Sequence, residues 1–247
     1  MGVAGDAGTS DGPIAGLGGR FPHDRIGDLR ARVRSAQGRE RVRAPLRTLS
    51  ALADVVPGGL RTGVSYTVRG STTLALALLA GPSAHGLWCG VVGMPTFGAE
   101  AAQALGVDLS RVVLIPAPGA DWMVATAALV DVLPLVLLSA PRTVADGDVG
   151  RLVARLRQRS ATLLVLDDRD AWPRPEARLA VVQSSWSGLG AGHGHLTGQE
   201  LVVAAYGKWG APRLTRLILD ATGAVRLAPE SAARPGREFR RAAEQAS

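Results

Sequence analysis

Short, uninterrupted apolar runs alternating with helical stretches limit what this chain can fold into. The runs are residues 64–68, 87–92, 112–115, 135–138 and 162–166, and the helical stretches between them are 72–80, 99–105, 122–132 and 148–159. A strand wet on one side alternates apolar and polar residues, whereas a strand buried on both sides reads as a continuous apolar run. Runs this short, spaced by helices, predict a parallel sheet covered on both faces. After Asp170 the texture changes to 179–184, 200–205, 214–219 and 224–227, joined by short turns. That pattern predicts an antiparallel finish to the same sheet. The expected class is α/β, with a mostly parallel central sheet, helices on both faces and an antiparallel C-terminal extension.

A chain of 247 residues can bury one full core. The core is expected over 50–228. Residues 1–22, rich in Gly, Ala, Ser and Asp, are expected to be disordered. The segment 23–49 reads as a basic amphipathic helical piece. Ile26, Leu29 and Val33 fall at helical spacing, and Arg25, Arg30, Arg32 and Arg34 lie largely on other faces. Such a stripe packs on its own domain, on a partner or on a second protomer. Residues 229–247 read as a polar tail or short terminal helix.

The stretch 70–99 carries no Asp, Glu, Lys or Arg, which raises the question of a membrane span. Gly81-Pro82-Ser83-Ala84-His85-Gly86 is expected to break it into a helix and a strand, each too short to cross a bilayer. The N-terminus shows no basic and apolar signal pattern. The one cysteine, Cys89, sits in an apolar run and reads as a core residue, which excludes an internal disulfide framework. A cytoplasmic location is the expectation.

The net charge of +7 is uneven. Residues 1–50 carry 9 basic and 5 acidic groups, residues 51–150 carry 4 and 7, and residues 151–247 carry 15 and 9. Basic ends permit weak contact with DNA or an acidic partner without requiring it. Of the 28 basic residues 27 are arginine, a bias that GC-rich coding would produce, so arginine count argues little about phosphate binding.

One segment reads as a damaged phosphate loop. A working P-loop runs G-x-x-x-x-G-K-[ST], where backbone N–H groups cradle phosphates, lysine neutralises them and the hydroxyl holds magnesium. Here Gly70 and Thr72 keep the second glycine and the hydroxyl, whereas Ser65 replaces the first glycine and Ser71 the lysine. The only lysine in the chain is the distant Lys208, so no shift of register restores the motif.

Taken in order, these pieces resemble the RecA-like recombinase core over residues 50–228. The likeness runs through Gly58-Gly59-Leu60-Arg61-Thr62-Gly63, then Gly70-Ser71-Thr72-Thr73-Leu74-Ala75-Leu76, and Trp88-Cys89-Gly90-Val91-Val92. It continues through Ala104-Leu105-Gly106-Val107-Asp108-Leu109, the run 135–138 in the place of a Walker B strand, and Gly210-Ala211-Pro212. The resemblance implies three lost catalytic positions. The P-loop lysine is Ser71, the Walker B acid is Ser139, and the water-activating glutamate is Met94. Phosphoryl transfer rests on charge placed around the phosphates and the attacking water. Losing cation, metal-shell acid and base together implies a pseudo-ATPase with no cofactor. The family's two DNA-binding loops correspond to 140–147 and 168–177, which are too short to reach into stretched DNA.

A RecA-like core of this size without ATPase chemistry is similar to the actinobacterial ImuA′ proteins, accessory factors of the damage-inducible mutasome. That resemblance implies a scaffold in DNA repair by translesion synthesis within the SOS response. The implied partners are an ImuB-like Y-family pseudo-polymerase and, through it, an error-prone C-family polymerase. Self-association is possible, and no membrane partner is implied. Three other readings stay open. One is a residual ATPase in which Arg69 substitutes for the lysine. The others are a cell-division inhibitor similar to SulA and a single-strand DNA-binding RecA paralogue.

Other candidate sites are weaker. Gly188-Leu189-Gly190-Ala191-Gly192-His193-Gly194-His195 opens no helix and reads as a mobile hairpin loop. His193 and His195 lack the further ligands a zinc site needs. Asp167, Asp168 and Asp170 could hold magnesium at a strand end, but with Arg169 and Arg174 beside them they read as a solvated loop. Trp172, Trp186 and Trp209 are either packed on the sheet or available to a partner. Arg237, Phe239, Arg240 and Arg241 form either a disordered tail or a helix that folds on a partner.

Overall fold

The computed structural model describes residues 44–188 and 198–228. The expectations for 1–22, for most of 23–49, for His193 and His195, and for Arg237, Phe239, Arg240 and Arg241 lie outside the described residues.

The strands are β1 (Ser65–Arg69), β2 (Cys89–Val92), β3 (Val112–Ile115), β4 (Leu135–Ser139), β5 (Thr162–Leu166), β6 (Ala177–Ser187), β7 (Gly198–Gly207), β8 (Arg213–Asp220) and β9 (Val225–Leu227). They form one sheet in the order β3-β2-β4-β5-β1-β6-β7-β8-β9. Pairing is parallel from β3 through β6 and antiparallel from β6 to β9. The helices are α1 (Thr72–Ala84), α2 (Ala99–Ala104), α3 (Trp122–Val130) and α4 (Asp146–Arg159).

Continuous apolar strands arise because successive side chains enter opposite layers. Leu135 and Leu137 join the layer that holds α1, while Val136 and Leu138 join the layer that holds α3 and α4. Helix α1 is apolar all round because it is enclosed all round. Every residue from Leu74 to Ser83 is buried, with the sheet on one side and Leu46, Leu52, Val55 and Val56 in the same cluster. Core packing therefore reaches back to Leu46, whose N–H and C=O pair with Leu60 at 2.7 and 3.0 Å.

The expected break into a helix and a strand falls within 81–86, but late in it: α1 runs four residues past Ala80, through Gly81 and Pro82, to Ala84. Gly81 serves a different purpose. A Cβ there would stand 2.6 Å from the Arg47 carbonyl oxygen, so only glycine lets the preceding segment cross so closely. The real stop is Gly86, whose φ of +87° suits a residue without a Cβ.

Between β5 and β6 the chain must cross β1, a parallel connection usually made by a helix of a dozen residues or more. Here ten residues, 167–176, make it without one. Trp172 takes the helix's place: its side chain is 1% exposed in the α3–α4 layer, and its indole N–H donates to Ser65 Oγ at 3.0 Å.

Candidate functional site

The carboxyl ends of β1, β2, β4 and β5 open into a cleft of about 520 Å³. In an open α/β sheet this is where ligands gather. Ser71, Thr72, Met94 and Ser139 all line it. Ser71-Thr72, Met94 and Ser139 lie far apart in the sequence, and the sheet brings them together because each stands at or just past the end of a different strand, β1, β2 and β4.

Ser65 does not join them. It begins β1, is buried, and pairs in register with Leu163. From Tyr66 to Val68 the strand is paired on both sides, with β5 and β6. Residues that would form the cradle of a phosphate loop are thus strand, with their backbone groups committed to the sheet. Only Gly70 and Ser71 separate β1 from α1. The segment is a two-residue strand-to-helix turn.

Each part of that turn has a structural task. Gly70 takes a φ of +78°, which its missing Cβ permits. Ser71 caps α1, its Oγ accepting the Leu74 N–H at 3.1 Å. The Gly70 N–H donates to Asp168 Oδ1 at 2.9 Å, so one of the chain's own carboxylates sits at the amino end of α1. Met94, where the resemblance put the water-activating base, is 7% exposed and belongs to the α1 layer. Ser139 closes β4 half-buried, opposite Leu166.

Arg69 is exposed but does not line this cleft. It borders a separate small depression with Thr67, Asp170 and Arg178.

The expectation of a solvated Asp167–Asp170 loop is corrected in part. Asp167 is 4% exposed and accepts the Trp172 N–H at 2.6 Å and the Arg169 N–H at 3.2 Å. Asp168 and Asp170 are exposed, and Asp170 pairs with Arg178 at 2.8 Å. The far end of the crossover is fastened by Glu176, whose side chain is 4% exposed. Arg61 Nη1 reaches its Oε1 at 2.6 Å and Lys208 Nζ its Oε2 at 3.1 Å. The chain's one lysine is thus part of a structural latch. Nothing in the sequence marks that latch, since Arg61 and Glu176 lie 115 residues apart.

The other connection, between β4 and α4, expected over 140–147 to be too short to reach DNA, spans only 140–145, because α4 starts at Asp146. Among the described residues no group of three or more His, Cys, Asp or Glu could hold a metal ion. Trp172 is buried and Trp209 packs on the α1 layer, whereas Trp186 is 56% exposed on β6. Cys89 is a core residue, as expected, and burial pushes its thiol up to about 12.

Compared with known proteins, residues 43–174 match the family model described as MT3502 N-terminal domain. The chain belongs to that family. Its match covers β1 to β5 with their helices and most of the crossover, and stops short of Glu176 and the antiparallel strands. The chain is also similar to the uncharacterized protein Rv3395c of Mycobacterium tuberculosis (strain ATCC 25618 / H37Rv), at 38% identity over 131 residues. That alignment spans 51% of this chain and 63% of the relative, so the chain covers less than two thirds of the relative's length. Among solved structures, the RadB recombinase superposes with a TM-score of 0.51 at 15% identity, over 73% of this chain and 97% of that one. At that identity the likeness establishes the RecA/RadB-like fold of this MT3502-family chain. No described helix is long and apolar enough to cross a membrane.

Proposed function

We propose that this protein is a non-catalytic RecA-fold scaffold in damage-induced mutagenesis, similar to the ImuA′ proteins. In this reading it binds an ImuB-like Y-family pseudo-polymerase and, through it, an error-prone C-family polymerase. One observation carries the loss of catalysis: the strand-to-helix turn is two residues long and its Gly70 N–H is held by Asp168. A phosphate at that turn would find too few free N–H groups, no lysine, and a carboxylate already beside it. Ser139 and Met94 supply neither a metal-shell acid nor a base.

The pinned crossover supports a changed job as well. In this chain the place of the second DNA loop is taken by residues fastened through Asp167, Trp172 and Glu176. A loop fixed at three points is poorly suited to reach into a DNA helix. What remains is a rigid α/β platform for a protein partner.

Affinity purification of the tagged full chain from damage-treated cells tests this reading. Recovery of a pseudo-polymerase homologue is expected. Recovery of a tubulin-like division protein without any polymerase homologue would instead support the SulA-like alternative.

A further inference from the structure

No further inference is drawn: the strongest candidate, the face that β7 and β8 turn away from the α1 layer, where Leu214 and Ile218 are exposed beside the Arg216–Glu200 pair, is an unpartnered patch, and nothing among the described residues shows what covers it.

Discussion

Asp168 accepts the Gly70 N–H at 2.9 Å, fastening the end of β5 to the turn that opens α1. The contact joins residues 98 apart and places a carboxylate at the amino end of α1, where a phosphate loop would hold an anion of its ligand. Replacing Asp168 with Ala should lower stability by about 1 kcal/mol, the worth of one exposed charge-assisted hydrogen bond. It should not create nucleotide binding, because the turn stays two residues long and Ser71 brings no cation. Urea denaturation and a nucleotide titration of the variant check both halves.

Trp172 substitutes for a crossover helix, so truncating it should be costly. Trp172→Ala is expected to destabilise by about 3–5 kcal/mol, the range for removing a large buried aromatic. Trp172→Phe keeps most of the volume but leaves Ser65 Oγ without its donor, at about 1–2 kcal/mol. Equal losses for the two would mean that the hydrogen bond, and not the packing, holds the crossover.

The Arg61–Glu176–Lys208 latch should show strong coupling. The Arg61 and Lys208 side chains are 63% and 75% exposed, so either alone can be cut to Ala for less than about 1 kcal/mol. The Glu176 side chain is 4% exposed, and losing both cations strands its charge, which should cost about 3 kcal/mol or more. A double-mutant cycle measures the difference. Additivity within about 0.5 kcal/mol would show that the two cations do not act together.

Alkaline pH should destabilise the fold through two buried groups. Burial pushes the Cys89 thiol from 9.0 up to about 12. Burial also raises the Tyr66 hydroxyl from 10.0 to about 12, against the lowering effect of the Arg61 N–H it accepts at 2.9 Å. Both groups stay protonated in the folded chain while the unfolded chain ionises, so stability is full below pH 9 and falls as pH rises toward 12. Each group contributes a slope of about 1.4 kcal/mol per pH unit once ionised in the unfolded state. The stability difference between wild type and Cys89→Ala should therefore shift by roughly 2 kcal/mol between pH 8 and pH 10.5. A constant difference would place Cys89 in contact with water.

Much of the fold is legible in the sequence, because strands buried on both faces announce themselves. β3 and β5 fall on the apolar runs 112–115 and 162–166 to the residue. β6 extends past its predicted run 179–184 because Ser185, Trp186 and Ser187 are all exposed, leaving no buried face whose periodicity could be followed. The break between helix and strand falls within 81–86, but Gly81-Pro82 puts the helix end four residues early, because that glycine serves a close backbone crossing that only the folded chain contains. In the site, Ser71, Thr72, Met94 and Ser139 converge as motif order implies, because strand ends in a parallel sheet share one edge. Ser65 does not, since the motif spacing reaches back into the strand that the apolar run 64–68 predicts, and that strand holds to Arg69. Asp168 with Gly70, and Glu176 with Arg61 and Lys208, leave no local trace. Their partners meet only across the sheet.

The proposed loss of nucleotide chemistry is tested most directly by calorimetric titration of the full chain with MgATP. The expected result is no saturable heat up to millimolar nucleotide, for wild type and Asp168→Ala alike. Magnesium-dependent binding in the micromolar range would contradict a fold kept for its shape and emptied of its ATPase.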